Sequence, residues 1–317
     1  MLRIYYKKEK RLAKESDISL LRTIPLGDMV WVDLQNSTVE EKVTIETYFD
    51  IKYSSVEEST EIESSSRFYE LDDELIINSN FLSLKQNDFD YCPVSIILEK
   101  GILFTYRDDD LKAFGESVKK IKSNPGSFTN GYQILLTLLE TGIEQDADII
   151  EALAKDIADL NKKLTLNRTR SDEEILLKIA SFQNHNILMR ENIIDKQRLV
   201  SSLMKSSLFP EEYMNVLRIM IKDIGSLIEH NKFAFERLEY LQDTFMGLVN
   251  IEQNRIIKIF TVATVAFMPP TLIASVYGMN FKIMPELGWD YGYLFAISLM
   301  VLSSVLTLIF FKKKNWL

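Results

Sequence analysis

Charged side chains recur through the first 258 residues and then stop. Residues 259–281 form a run of 23 without a charge, and residues 291–311 form another of 21. About 20 apolar residues, rising 1.5 Å each as a helix, cross a hydrocarbon core of ~30 Å, so both runs predict membrane spans. Only nine residues, 282–290, separate them, which makes the pair a helical hairpin.

Upstream of the first span, proline and glycine almost vanish. No proline occurs between Pro210 and Pro269, and the glycines of that stretch are Gly225 and Gly247. Residues 211–276 therefore predict one helix of 66 residues, ~99 Å long at 1.5 Å per residue. Its residues 217, 221, 224, 228, 231, 235, 238, 242, 245 and 249 follow 4-3 spacing, and eight of the ten are apolar, with Asn231 and Gln242 interrupting. Such a seam packs against further copies of the chain as a coiled coil, or against other helices of the same chain. Suitable helices precede it: residues 134–139, 149–166 and 173–203 show 3.6-residue periodicity, and 167–171 make the turn of an antiparallel pair.

The first 125 residues mix signals. Residues 2–6, 30–34 and 68–77 are rich in β-formers. Residues 93–99 and 102–106 flank Lys100-Gly101, a hairpin turn. Ser37 with Glu40 three positions on predicts a capping box. Asp108, Asp109 and Asp110 precede a helical stretch at 111–121; the run reads as a helix cap meeting the positive helix end, with a metal site as the alternative. The boundaries are then 1–128 for an α/β domain, 129–209 for the helical pair, 210–258 for a stalk helix, 259–281 and 291–311 for the spans, 282–290 for their loop and 312–317 for a basic tail.

Composition narrows the function. The single cysteine, Cys92, excludes a disulfide framework or multi-cysteine metal site. Two histidines cannot supply a three-histidine centre. No phosphate-binding glycine loop and no nucleophile–base pair is visible, so an enzyme is not expected. Residues 255–317 hold six basic and two acidic side chains, so that end carries +4 and residues 1–254 carry −13 of the total −9. An acidic soluble part suits cations and not nucleic acid. Charges every few residues in the first dozen positions, with no apolar core after them, are not the pattern expected of a signal peptide. Arg255, Lys258, Lys312, Lys313 and Lys314 flank the spans, whereas the loop has Lys282 against Glu286 and Asp290. Both termini are therefore expected in the cytoplasm and the loop outside.

A lipid-facing helix is apolar all round, and the first span is not. At 3-4 spacing it reads Asn254, Ile257, Thr261, Thr264, Met268, Thr271, Ser275, opposite Ile256, Ile259, Val262, Ala266, Ile273 and Val276. Thr and Ser also pack well between membrane helices, which is the alternative to a water-lined face. Neutral oxygens would hold the water shell of Mg2+, which dehydrates reluctantly, and would release it, as conduction requires. Two spans cannot enclose a conduit, so several copies would be needed. The absence of Cys and His near the spans argues against a soft-metal route that strips water.

Tyr277, Gly278, Met279 and Asn280 close the first span, Met284, Pro285, Glu286 and Leu287 follow in the loop, and the chain ends Phe-Lys-Lys-Lys-Asn-Trp-Leu. In these residues the sequence resembles the CorA magnesium transporter family of archaea and bacteria, in detail over 250–317 and in outline elsewhere. The resemblance implies an α+β membrane protein of the cell membrane: a homopentameric funnel with an N-terminal α/β cytoplasmic domain, a long helical stalk continuing into the pore, and second spans forming an outer ring. Its cargo would be hydrated Mg2+, with Co2+ and Ni2+ as further cargo. Gly278, Met279 and Asn280 match the selective outer mouth, and Glu286 the acidic loop residue that gathers cations. Asn254 and Thr271 match polar rings, Ile257 and Phe260 the hydrophobic gate, and Met268 a narrow point; Thr264 and Ser275 complete the stripe. Lys312, Lys313 and Lys314 match a basic collar. Two residues depart from the pattern: Ser275 stands where a glycine often occurs, and Pro270 follows the expected Pro269. In the family intracellular Mg2+ binds acidic residues between cytoplasmic domains and closes the pore. Ile219 aligns where a stalk aspartate can stand, so Asp223, with Glu57 and Glu58 as partners, and Asp243 are the expected sensing residues.

Overall fold

The computed structural model describes residues 1–9, 11–54, 67–71, 73–85, 88–166, 172–280, 282, 284–314 and 316. The chain divides into two compact units, Met1–Tyr240 and Leu241–Leu317. In the first, the described strands are β1 (Leu2–Lys8), β2 (Arg11–Glu15), β3 (Met29–Gln35), β4 (Phe68–Leu71), β5 (Glu74–Lys85), β6 (Asp88–Glu99) and β7 (Ile102–Arg107). They form one sheet of order β2-β1-β3-β7-β6-β5-β4. Neighbours run antiparallel except β3 and β7, which are parallel.

Both faces of the sheet are covered. On one face Trp31, Phe81, Val94, Ile96 and Leu98 join Phe114 of helix α2 (Lys112–Ser123), Leu138 of α3 (Gly131–Leu166) and Ile193 of α4 (Asp172–Leu203). On the other, Leu34, Ile97 and Phe104 meet Ile45 of α1 (Val39–Phe49). Burial on both faces is why β6 reads as a near-continuous apolar run and not as an alternation. Pro93, which has no N–H to donate, lies one residue outside the β6–β7 ladder, which begins at Val94. Lys100 and Gly101 take φ of +48° and +78°, the paired positive values of a type I′ turn.

Three local expectations need correction. The run 68–77 is not one strand: it divides into β4 and β5, with Asp73 in a turn between them. The capping box forms one residue later than Ser37 and Glu40. Glu41 N donates to Thr38 Oγ1 at 3.1 Å and Thr38 N to Glu41 Oε2 at 3.0 Å. Asn36 sits at φ +43° with its N–H on Arg107 O at 2.9 Å, which delays the helix. The aspartates at 108–110 do not cap α2; its N-cap is Leu111, with no side-chain bond. Arg107 Nη1 instead donates to the Asp109 carbonyl at 2.6 Å.

Buried charges tie the layers together. Asp33 accepts from Arg107 Nη2 at 3.0 Å, Arg3 Nη1 at 3.1 Å and Thr105 Oγ1 at 2.8 Å. Asp146 of α3 accepts from Lys196 Nζ at 2.6 Å and Asn192 Nδ2 at 2.8 Å, both on α4. Burial pushes the Asp146 carboxyl up, and the Lys196 ammonium pulls it back. Gly142 permits this approach, since a Cβ there would lie 3.1 Å from Phe81 Cε1 and 3.4 Å from Lys196 Cε. The helical stretches at 134–139 and 149–166 belong to one helix, the 36 residues of α3.

Helix α5 (Met214–Tyr277) is a single element of 64 residues that passes from the first unit into the second. Its seam is occupied within the chain. Leu217, Ile224, Asn231 and Leu238 are buried, and Ile221, Ile228 and Phe235 half-buried. Leu217 and Ile224 join the first apolar cluster. Asn231 Nδ2 donates to the Asn186 carbonyl at 3.2 Å and Asn186 Nδ2 to the Asn231 carbonyl at 3.0 Å. Packing within the chain, the second of the two seam alternatives, is present from Leu217 to Leu238, with Asn186 of α4 as the partner of Asn231.

Candidate ion pathway

The second unit consists of the end of α5, a short loop and α6 (Gly292–Lys313). Both helices are long and apolar enough to cross a membrane. At about 100° per residue, the stripe from Asn254 to Ser275 falls within an arc of about 100°. All of its members are exposed except Thr261, which is half-exposed. Ala266 lies about 180° away and is buried at 7% exposure, as is Val262. The α6 side of the first span is therefore the face opposite the stripe. Phe260 is exposed and lies about 20° beyond the edge of the stripe. Ile257, Phe260, Thr261, Thr264 and Val265 line a shallow groove of 350 Å³.

The hydroxyls of the stripe are oriented. Thr261 Oγ1 donates to Ile257 O, Thr264 Oγ1 to Phe260 O and Thr271 Oγ1 to Phe267 O, each at 2.8 Å. Each proton is committed to the carbonyl one turn back, so what faces outward is oxygen lone pairs. Those accept hydrogen bonds and donate none. A hydrated cation presents the converse surface, all donors, so the chemistry of the stripe fits an ion that keeps its water.

Pro269 and Pro270 both lie inside α5. A proline has no N–H for the carbonyl four residues back, which leaves the carbonyls of Val265 and Ala266 without their helical donors. Ser304 of α6 donates its hydroxyl to Ala266 O at 3.1 Å. Counting back four residues from Pro270 points to the Ala266 carbonyl as the one short of a donor, but nothing local in the sequence names Ser304, 38 residues on, as its partner.

Beyond Tyr277 the helix ends with Gly278 N on Ala274 O at 2.9 Å and Met279 N on Val276 O at 3.3 Å. Gly278, Met279 and Asn280 are exposed. Glu286 is exposed within the 3-10 turn Pro285–Gly288. A Cβ on Gly292 would lie 2.2 Å from the Glu286 carbonyl oxygen, so only glycine lets α6 start against that turn. Trp289 packs on Phe295 at 5.8 Å, and at the other end of α6 Trp316 packs on Phe311 at 5.6 Å, beside Lys312, Lys313 and Lys314. Aromatic pairs at both ends suit the two membrane interfaces.

The sequence profile described as CorA-like Mg2+ transporter protein matches residues 27–313. The chain is 38% identical to the magnesium transport protein CorA of Wolinella succinogenes, over 100% of both chains. The chain belongs to the CorA-like Mg2+ transporter family. It is also 38% identical to the CorA protein of Escherichia coli K12, over 92% of this chain and 93% of that one. The complete structure of the CorA magnesium transporter from Methanocaldococcus jannaschii superposes with a TM-score of 0.83 at 21% identity, covering 100% of this chain and 99% of that one. The α+β fold with a long helix and two C-terminal candidate spans is thus the CorA fold. The CorA-like family consists of ion transporters and not enzymes.

The acidic residues expected to sense Mg2+ are less connected. Glu57 and Glu58 lie outside the described residues. Asp223 and Asp243 are both exposed on α5, about 30 Å apart along the helix and about 160° apart around it. Among the described residues no group of three or more His, Cys, Asp or Glu is placed to hold a metal ion. The cavity of 660 Å³ beside Arg67, Asp90, Tyr91, Glu191 and Asp195 is far from the stripe in sequence. Its acids Asp195 and Glu191 already bond Arg67 and Tyr91.

Proposed function

We propose that this protein conducts hydrated Mg2+ across the cell membrane as a homopentamer, with α5 of each copy lining the pore and α6 outside it. The observation that carries this reading is the charge-free face from Asn254 to Ser275, whose exposed threonine oxygens have committed their protons. Five copies, the number implied by the resemblance, would set rings of acceptors around a shared axis. Asn280 with Gly278 and Met279 forms the outer mouth and Glu286 collects cations there. Ile257 and Phe260 close the path by dewetting, Met268 narrows it, and Asn254, Thr264, Thr271 and Ser275 hold the ion's water. Self-assembly is supported by Ile219, Phe233 and Tyr240, which are 61%, 60% and 68% exposed. Spaced by multiples of seven, they share one side of α5, about opposite the buried seam.

The termini face the cytoplasm and the loop faces outward, following the basic flanks. An inside-negative potential then favours influx by about 2.3 kcal/mol per charge per 100 mV, hence about twice that for Mg2+. Cytoplasmic Mg2+, bound between neighbouring soluble units through residues such as Asp223, Asp243, Glu57 and Glu58, favours the closed state; that is feedback by differential binding to two states. Co2+ and Ni2+ pass as further hydrated divalent cargo.

The test is flux into liposomes holding a Mg2+-sensitive dye under an inside-negative potential. Mg2+ influx should fall as lumenal Mg2+ rises, be blocked by hexaamminecobalt, a rigid all-donor mimic of the hydrated ion, and vanish in Asn280→Ala while the oligomer persists. Unchanged flux in that variant would remove Asn280 from the mouth. No flux from a folded wild-type oligomer would refute Mg2+ conduction.

A further inference from the structure

Pro270 creates a vacancy in the hydrogen bonding of α5, and Ser304 fills it. The Ala266 carbonyl, which lacks its donor because residue 270 is proline, accepts the Ser304 hydroxyl at 3.1 Å. Ala266 is the buried residue opposite the polar stripe, so this bond joins the two spans back to back. No water in a hydrocarbon core can satisfy a bare carbonyl there, and an unsatisfied backbone group is expensive. A second proline also invites a bend, since kinks in long helices concentrate at proline. Thr271, Ser275 and the Gly278–Met279–Asn280 end all lie beyond that point. Any swing at 269–270 would move them out of line with Asn254, Ile257 and Thr264.

We infer that Ser304 is a positioning residue for the ion pathway: it replaces the donor that Pro270 withholds and so holds the pore helix on the second span at Ala266, one turn before Pro270. The choice of serine follows from its chemistry. It is short enough to let α6 approach Ala266 closely, as small residues do at membrane helix contacts, and it carries the one proton required. Ser303 and Thr307 donate instead to carbonyls of their own helix, Met300 O at 2.8 Å and Ser303 O at 2.9 Å. Ser298 likewise donates to Leu294 O of its own helix, so among these hydroxyls of α6 Ser304 is the one that reaches across.

This inference rests on α5 being the pore helix, and a double-mutant cycle read by flux separates the two. Mg2+ influx per folded oligomer, with its half-saturating Mg2+, is measured for wild type, Ser304→Ala, Ser304→Thr, Pro270→Ala and Pro270→Ala/Ser304→Ala. Ser304→Ala should lower maximal influx by roughly three- to tenfold, the effect of leaving one buried acceptor unpaired, and Ser304→Thr should restore most of it. In the Pro270→Ala background residue 270 regains an N–H for Ala266, so Ser304→Ala should change influx by less than about twofold. An equal loss in both backgrounds would overturn the inference, since it would mean that Ser304 acts by packing alone. So would undiminished influx in Ser304→Ala. Wild-type influx accompanying either result leaves Mg2+ conduction standing, whereas absent wild-type influx overturns both.

Discussion

Thr271 shows how much a single hydroxyl can specify. Its proton rests on Phe267 O at 2.8 Å, so it offers the pathway only acceptor character. Thr271→Val keeps shape and removes those lone pairs; Mg2+ influx should fall several-fold, while Thr271→Ser, which can make the same i−4 bond, should retain most of it. Equal flux in the valine variant would argue that the stripe serves helix packing. The stripe was legible in the sequence because a 3.6-residue period places Asn254 to Ser275 together whatever surrounds them. The orientation of its hydroxyls, and the bond from Ser304 to Ala266, were not, because they depend on rotamers and on a contact across 38 residues.

Among the elements, the α3–α4 pair illustrates a constraint that composition hides. Lys196 and Asp146 are buried at 1% and 2% exposure and bond at 2.6 Å. Asp146→Leu strands the ammonium and should destabilise the soluble unit by about 3–5 kcal/mol, whereas Asp146→Leu with Lys196→Met should be near neutral or stabilising. Denaturant unfolding of the two variants checks this; an equal loss in both would mean that the pair does more than satisfy itself. The periodicity of α3, α4 and α5 was readable because helical faces recur locally. Their ends were less so: Thr38 with Glu41 and Ser37 with Glu40 both satisfy the capping pattern, and the position of Asn36 against Arg107 decides between them. The seam of α5 likewise told of a packed face without telling which partner fills it.

At the scale of the whole molecule, both apolar clusters fall within Met1–Tyr240. A fragment ending at residue 240 should therefore be soluble and melt in one cooperative transition. If it carries sensing sites, millimolar Mg2+ should raise its melting temperature, with stabilisation approaching about 2.7 kcal/mol at a hundredfold excess over Kd. Asp223→Asn should reduce that shift; a melting temperature indifferent to Mg2+ would take feedback away from this unit. The −13 charge of residues 1–254 against +4 beyond places the cation-attracting surface and the bilayer-anchoring end in the chain before any folding. The sequence by itself determined the two spans, the long helix, the charge asymmetry and the polar stripe, because hydrophobic length, period and charge are properties of neighbours along the chain. Only the tertiary structure decided the strand order around β3 and β7, the occupant of the α5 seam within Met1–Tyr240, and the pairing of Ser304 with Ala266. These join residues far apart in sequence, and nothing local selects among the partners they could have.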